Sequence, residues 1–253
     1  HLSIRRQRQM CIRDRGGRFV LTNAPIAMRM GAIKELAQEC NTIVIPADAT
    51  VVEDIEKLYA EAKEFLGADF DFLLHSIGMS PNIRKGRSYG DLNYDWAMKS
   101  YDVSAISFHK MMQVAEKMDV MKEWGSIVGL SYIAAQRVYP FYTDMADAKA
   151  LLESIARGYG YRYGKLKKVR VNTISQSPTK TTAGTGIGGF DSFFNFAESL
   201  SPLGNASAEA CADYIVTMFS DFTRMVTMQN LFHDGGYSFT GISEDIMEKF
   251  KDL

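Results

Sequence analysis

A tyrosine and a lysine seven residues apart, Tyr142 and Lys149, lie in a segment with helical periodicity. Because each residue turns a helix by roughly 100°, this spacing returns the second side chain to within about 20° of the first, two turns further along. A phenol and an ammonium group would then face one site, where the cation favours phenolate character or binds ribose hydroxyls. Tyr132 ends the preceding apolar run and adds a second phenol.

Short apolar runs alternate with longer amphipathic stretches from Gly17 onward. The runs predict strands at Phe19–Thr22, Thr42–Asp48, Phe70–Gly78, Gly125–Tyr132, Val169–Gln176 and Val226–His233. The stretches predict helices at Ile26–Cys40, Glu53–Leu66, Tyr94–Met118, Asp144–Tyr163 and Ser207–Phe222. Buried strands separated by helices are typical of a parallel sheet covered on both faces. The predicted fold class is therefore α/β, a doubly wound parallel sheet of the Rossmann type, with residues 17–253 as one domain.

Ligands of such sheets bind beyond the carboxyl ends of the strands. The residues predicted at that edge are small or polar, which suits a bound dinucleotide: Asp48, Ala49, Ser76, Ile77, Gly78, Ser131, Tyr132, Ser177, Pro178 and Thr179.

Four stretches resemble the enoyl-acyl-carrier-protein reductase branch of the short-chain dehydrogenase/reductase superfamily. They are HSIG at 75–78, LSYIAAQR at 130–137 with Tyr142 and Lys149 after it, MADAKALLE at 145–153, and NTISQSPTKTTAG at 172–184. The Tyr-x6-Lys spacing is the specific part, since the wider superfamily uses Tyr-x3-Lys and this chain has Met145 at that position. The resemblance runs from about Gly17 to the C-terminus.

This resemblance implies reduction of trans-2-enoyl thioesters on acyl carrier protein, by hydride transfer from NADH (NADPH is possible), in fatty-acid elongation. It implies catalytic roles for Tyr142, which donates to the thioester carbonyl, for Lys149, which binds the nicotinamide ribose, and for Tyr132. The implied cofactor-binding residues are Asp48, Ala49, Ser76, Ile77, Gly78, Lys149, Pro178, Thr179 and Thr181. The implied substrate-binding residues are Met79, Ser80, Tyr132, Met145, Ala183, Ile187 and Phe190.

The segment 182–199 resembles the mobile substrate-binding loop of that family, with Phe190, Phe193, Phe194 and Phe196 as a candidate apolar wall. Its glycines at 184, 186 and 189 satisfy GxGxxG, but they lie too late in the fold for a phosphate loop. The resemblance also implies a homotetramer, and the three scattered cysteines favour a reduced, cytoplasmic protein. No metal site is expected, because the cysteines and histidines do not have ligand spacing.

Residues 1–16 carry five arginines against one acid and resemble translated adapter sequence. We expect a foreign or disordered segment there, in place of the first strand and the glycine-rich loop. The loss of that strand, which is central in the family's sheet, predicts weak cofactor binding or poor folding.

A net charge of −1 and the lack of a long apolar run argue against partners such as nucleic acid or membrane. The alternatives left open are another short-chain ketone or ketoacyl reductase, an inactive cofactor-free remnant that serves only as an oligomer partner, and a nucleic-acid binder with a basic arm. Carrier proteins are acidic, so a cationic patch near the acyl portal is expected. Its candidates are Arg84, Lys85, Arg87 and Lys180.

Overall fold

A computed structural model describes residue 14 and residues 16–30, 32–179 and 190–251. Its strands are β1 (Leu21–Asn23), β2 (Val44–Pro46), β3 (Phe70–His75), β4 (Met121–Ser131), β5 (Arg170–Gln176) and β6 (Asn230–His233). All ladders are parallel, with order β1-β2 in one sheet and β3-β4-β5-β6 in the other. The predicted strands are confirmed, although the first, second, third and last are shorter than the apolar runs and the fourth begins earlier, at Met121.

The helices are α1 (Ala32–Glu39), α2 (Val52–Leu66), α3 (Pro81–Arg84), α4 (Tyr94–Tyr101), α5 (Ser107–Lys117), α6 (Thr143–Lys167), α7 (Phe190–Leu200), α8 (Ala208–Phe219) and α9 (Glu244–Lys249). Among the described helices, none is long and apolar enough to cross a membrane.

Helices cover both faces of the sheets. Ile55 of α2, Met112 of α5 and Leu152 of α6 lie in one buried cluster with Ile127 of β4. On the opposite face, α8 packs with β4 and β5 in a cluster of Val128, Ile174, Ile215 and Met218. Strands buried on both sides form continuous apolar runs, as the sequence does here. The α/β doubly wound class is therefore confirmed.

The strand pairing is interrupted between β1 and β3, since no ladder among the described residues joins them. The two sheets nevertheless share side-chain clusters. Leu21 packs in a cluster that Phe72 borders, and Val20 and Leu73 both border the main core on the other face. Because neighbouring residues of a strand face opposite ways, these contacts align the faces of β1 with those of β3. The segment expected to replace a central strand, residues 1–16, lies mostly outside the described residues.

The predicted helix at Tyr94–Met118 is not uniform. Between α4 and α5 the chain forms a π-helical segment, Asp102–Ile106, before it resumes α-helical pairing. Such wide turns are frequent at functional sites. Here the segment places Ser104 and Ser107 against the end of β3, where Ser104 contacts Met79 and Ser107 contacts His75.

Two glycines of α6 provide a test of how closely this helix packs against the segment that contains Met228. A Cβ atom on Gly160 would lie 2.5 Å from Cγ of Met228, whereas one on Gly164 would meet nothing within 4 Å. We expect Gly160→Ala to lower the free energy of unfolding by about 1–3 kcal/mol through overpacking. Gly164→Ala, the control, should raise it by roughly 0.5–1 kcal/mol because alanine favours the helix. Thermal and urea unfolding measure both. A Gly160→Ala protein as stable as the parent would contradict the close contact with Met228.

Candidate active site

The junction between β4 and α6 brings the predicted catalytic residues together. β4 ends at Ser131, Tyr132 follows it, and Tyr142 immediately precedes the first residue of α6. Two turns into that helix, the buried Lys149 donates a hydrogen bond of 2.6 Å from Nζ to the carbonyl oxygen of Leu130. The ammonium group is thereby fixed at the carboxyl end of β4.

The end of β3 approaches the same point. A Cβ atom placed on Gly78 would lie 3.9 Å from Nζ of Lys149 and 3.9 Å from Cε of Met145. The backbone at Gly78 therefore lies close to the lysine and to Met145. Three predicted site residues from two different elements are neighbours in the structure.

Burial shifts the basic groups of the site toward their neutral forms. Desolvation lowers the pKa of Lys149 from 10.5 to about 8, and the nearby carboxylate of Glu153 opposes this shift. His75, at the end of β3, is fully buried, and desolvation together with the charge of Lys149 lowers its pKa to about 3. His75 is therefore neutral at physiological pH, and its Nε2 lies 2.8 Å from Oγ of Ser107.

The tyrosines of the site form an aromatic cluster. The ring of Tyr132 lies 5.1 Å from that of Tyr142 and 5.5 Å from that of Tyr139. Phe193 of α7 contacts the rings of Tyr132 and Tyr139 edge-on. Burial raises the pKa of Tyr142 to about 12 and also raises that of Tyr132. The expected phenolate character is therefore wrong for this structure, because desolvation keeps the phenol of Tyr142 protonated as a hydrogen-bond donor.

The loop after β3 carries the predicted substrate residues Met79 and Ser80. The backbone N–H of Met79 donates to Oγ of Ser104 at 3.0 Å. Ser80 is buried and caps α3, since its hydroxyl accepts from the N–H of Ile83 at 3.1 Å. Ser76 and Ile77 lie half-buried just before this loop. The loop is thus held by hydrogen bonds at Met79 and at Ser80.

The remaining predicted cofactor residues follow β2 and β5. Asp48 and Ala49 lie two and three residues after the end of β2, where the carboxylate of Asp48 accepts from the N–H and hydroxyl of Thr50 at 2.9 and 2.7 Å. Pro178 and Thr179 follow β5, and the hydroxyl of Thr179 donates to the carbonyl oxygen of Ser177 at 3.1 Å. Parallel strands place these ends on the edge that also carries Lys149.

Some predictions fall beyond the described part of the chain. Thr181, Ala183 and Ile187 lie outside the described residues, and so does Lys180. For Phe190 only the backbone is described, as the first residue of α7. The predicted loop at 182–199 thus ends in a regular helix, and Phe193 of that helix borders the tyrosine cluster.

Several residues that organise the site escaped prediction. Glu153 is buried and accepts from Ser131 Oγ at 2.6 Å and Gln136 Nε2 at 3.0 Å. Asp144 is buried and accepts from several hydroxyls, as detailed below. A signal existed for the buried serines of α4 and the π segment, because Ser100, Ser104 and Ser107 recur at helical spacing within an apolar face. The two acids gave none, since an acid on a helix is ordinarily solvated.

Two polar groups of the site, on Lys149 and Tyr132, have hydrogen-bonding capacity to spare, which suits the binding of a dinucleotide and a thioester. Lys149 uses one ammonium proton on Leu130, so two more donors remain for ribose hydroxyls. The hydroxyl of Tyr132 is buried and has no hydrogen-bond partner among the described residues. A buried, unpaired phenol beside a protonated one suits an oxygen that becomes negative during reaction.

The doubly wound sheet, together with the Tyr-Lys pair at its carboxyl edge, defines a reductase of the short-chain dehydrogenase type. Comparisons with known proteins identify the family within this class. A family model described as enoyl-(acyl carrier protein) reductase matches residues 9–238. The enoyl-acyl-carrier-protein reductase (NADH) FabI of Rickettsia bellii is 38% identical over 83% of this chain and 79% of its own length. That of Bacillus subtilis is 30% identical over 90% and 88%.

Solved structures agree with the sequence comparisons. The crystal structure of a FabI-NADH complex from Alistipes finegoldii has 60% sequence identity and a TM-score of 0.95, over 97% of this chain and 87% of that one. The reductase (NADH) from Aquifex aeolicus has 29% identity and a TM-score of 0.86, over 95% and 93%. The chain belongs to the enoyl-acyl-carrier-protein reductase family.

The coupling between Lys149 and Glu153 can be tested directly. The carboxylate raises the lysine pKa, so Glu153→Gln should lower it below about 8. Titration of a ¹³C-methylated Lys149 by NMR measures this, with the exposed Glu123→Gln as a control that leaves the titration unchanged. The same shift predicts how stability depends on pH. Because the pKa of Lys149 in the folded protein lies below 10.5, the unfolded chain binds more protons between pH about 8 and 10.5. The contribution of Lys149 to the free energy of unfolding should therefore rise with pH across that window. A lysine that titrates near 10.5 would contradict its burial.

Proposed function

We propose that this chain reduces trans-2-enoyl thioesters on acyl carrier protein to saturated acyl thioesters, with NADH as the hydride donor, in fatty-acid synthesis. One observation carries the proposal. The rings of Tyr132 and Tyr142 pack together where β4 ends, and the ammonium of Lys149 is bonded to Leu130 of the same strand end, close to the backbone of Gly78. Family membership supplies the reaction class, and the FabI structure solved with NADH supports the choice of cofactor.

Bound NADH supplies the hydride that reduces the β-carbon of the substrate. Tyr142 donates a hydrogen bond to the thioester oxygen, which becomes negative as an enolate forms, and a proton from solvent at the α-carbon then gives the saturated thioester. The raised pKa of Tyr142 keeps that donor protonated. Lys149 holds the ribose with its spare ammonium protons, and Leu130 fixes the direction of the side chain. Tyr132 excludes water above the reacting atoms and offers a second hydroxyl.

The alternative reaction, reduction of a ketone, is disfavoured by Met145. This residue occupies the Tyr-x3-Lys position, and its side chain is buried beside Gly78. A thioether donates no hydrogen bond to a ketone oxygen. The cofactor-free remnant is disfavoured because Lys149 retains unused donors at the cofactor edge.

The reaction class is tested by following NADH absorbance with a trans-2-enoyl thioester, in parallel with a 3-ketoacyl thioester of equal chain length. We expect oxidation of NADH with the enoyl substrate alone. Oxidation with the ketoacyl substrate alone would overturn the proposal. NADPH in place of NADH, at the same concentrations, tests the cofactor, and faster turnover with NADPH would overturn that part.

Two substitutions separate chemistry from cofactor binding. Tyr142→Phe should lower kcat by about 10²–10³-fold, the usual effect of removing an oxyanion donor, with NADH affinity unchanged. Lys149→Met should instead raise the Kd for NADH by about tenfold or more, because one or two charge-assisted hydrogen bonds are lost. Tyr161→Phe, which changes an exposed tyrosine further along α6, is the matched control. Stopped-flow turnover and NADH fluorescence titration give the two constants. Equal loss of NADH affinity in Tyr142→Phe would contradict the assigned roles.

The carrier protein is proposed to approach near α3. Of the predicted cations, Arg84 and Lys85 are exposed at the end of that helix, four and five residues after Ser80. Arg87 is engaged elsewhere, since it pairs with Asp91 at 2.9 Å and lies over the ring of Trp96. Two cations close in sequence to the substrate loop suit an acidic carrier.

Charge reversal tests this surface. Arg84→Glu or Lys85→Glu should raise KM for the carrier-linked substrate about three- to tenfold at low salt, and the effect should shrink at high salt. KM for a short thioester without carrier should not change. Lys165→Glu, an exposed cation near the end of α6, is the control. An equal rise of KM for the carrier-free substrate would contradict a docking role.

A cytoplasmic homotetramer is the remaining part of the proposal. A groove of about 770 Å³ lies along α5 and α6 and is lined by Val52, His109, Gln113, Ile155, Tyr159 and Arg162, among others. It shares no lining residue with the candidate active site. Such a groove between two long helices suits packing against another copy, which sedimentation equilibrium would detect as a fourfold mass.

A further inference from the structure

The carboxylate of Asp144 is buried close in sequence to the candidate catalytic residue Tyr142 and accepts hydrogen bonds from several elements. We call this group of hydrogen bonds the Asp144 junction. Asp144 lies two residues after Tyr142 and is 0% exposed. Its Oδ1 accepts hydrogen bonds from Ser80 Oγ at 2.7 Å and Thr143 Oγ1 at 3.0 Å. Its Oδ2 accepts from Ser100 Oγ at 2.7 Å and Asn82 Nδ2 at 3.1 Å. All four donors are neutral side chains.

Physical chemistry explains why a carboxylate is retained at this position. An unpaired buried charge costs several kcal/mol, roughly, unless hydrogen bonds compensate for the lost water. Four donors supply that compensation, and bonds to a charged acceptor are about twice as strong as neutral ones. Asp144 also lies in the first turn of α6, where the helix dipole favours negative charge. An uncharged side chain would lose both effects.

The junction joins separate elements. Ser80 belongs to the loop after β3, Asn82 lies in α3, and Ser100 lies in α4. Through Asp144 all three are bound to the start of α6. Since Ser80 directly follows Met79, the carboxylate sets the distance between the substrate loop and the helix that carries Lys149.

The backbone beside Tyr142 depends on the same carboxylate. Thr143 has a φ of 34°, in the left-handed region that β-branched residues avoid. Such strain persists only where surrounding contacts enforce it. Thr143 is buried, and its hydroxyl donates to Asp144. The strained residue is the one that connects Tyr142 to α6, so its conformation determines where the phenol points.

We propose that Asp144 is a positioning residue for the enoyl reduction, which fixes the start of α6, and with it Tyr142, relative to the loop that carries Met79 and Ser80. This inference rests on the proposed function for its kinetic part. The carboxylate does not touch substrate or cofactor and acts through Thr143 and Ser80. Its loss displaces the phenol and leaves the bond of Lys149 to Leu130 intact.

The test uses Asp144→Asn, which keeps the shape but presents an NH₂ group to a neighbour that also donates. We expect kcat with a trans-2-enoyl thioester to fall about 10–100-fold, because displacements near 1 Å have effects of that order. The Kd for NADH should stay within about twofold, since the contacts of Lys149 are retained. The control is Asp147→Asn on the same helix, where the carboxylate accepts from Tyr89 and Tyr101. Its kcat should stay near that of the parent.

A double-mutant cycle excludes a merely structural role. If Asp144 acts through Tyr142, then Asp144→Asn should lower kcat by less than about threefold in a Tyr142→Phe background. Full additivity of the two effects would overturn the proposal. So would a lower melting temperature with unchanged kcat per folded molecule, or a Kd for NADH that rises as much as kcat falls.

A crystal structure of Asp144→Asn tests the positioning without any activity. We expect Thr143 to leave the left-handed region and the Tyr142 hydroxyl to move. An unchanged Thr143 and Tyr142 would overturn the proposal. If the parent chain does not reduce enoyl thioesters, the proposed function fails, whereas this structural comparison still decides whether Asp144 positions Tyr142.

Discussion

The burial of three ionisable side chains along α6 is the constraint on which the site depends. Asp144, Lys149 and Glu153 all lie inside the protein. Each finds hydrogen-bond partners on neighbouring elements: Lys149 on the backbone of β4, Glu153 on Ser131 and Gln136, and Asp144 on the hydroxyls around it. Because a buried charge without such partners is strongly destabilising, these hydrogen bonds tie α6 to β4, α3, α4 and the loop after β3.

That confinement also sets the chemistry of the site. The environment that desolvates Lys149 lowers its pKa, and the environment that desolvates Tyr142 raises the pKa of the phenol. A phenol that stays protonated is a better hydrogen-bond donor to a developing enolate than a base would be. The carboxylate of Glu153 opposes the desolvation of the lysine, whose pKa of about 8 keeps it mostly a cation near neutral pH. In the proposed reaction both side chains are therefore hydrogen-bond donors.

The sequence predicted the fold class and the main site residues because both follow periodic rules. Strand and helix spacing placed Tyr142 and Lys149 on one side of α6, and parallel topology placed Gly78 beside them. It did not reveal Asp144 or Glu153 as buried, since burial of an acid depends on donors distant in sequence, such as Ser80 for Asp144. It also did not reveal the π segment. That segment contains Ser104, whose hydroxyl accepts the hydrogen bond of the Met79 backbone N–H.

No strand ladder joins β1 to β3 among the described residues, so the two parts of the site are held in place by different kinds of contact. The hydrogen bonds that fix Lys149, Met79 and Ser80 all lie within the part built on β3 to β6. Asp48 and Ala49 belong to the β1-β2 sheet, which contacts the other sheet, within the described residues, through side-chain clusters and no strand ladder. Side-chain packing tolerates small shifts that a ladder would not. The positions of Met79, Ser80 and Lys149 are therefore set by hydrogen bonds within the part built on β3 to β6, whereas those of Asp48 and Ala49 depend, among the described residues, on side-chain packing between the two sheets.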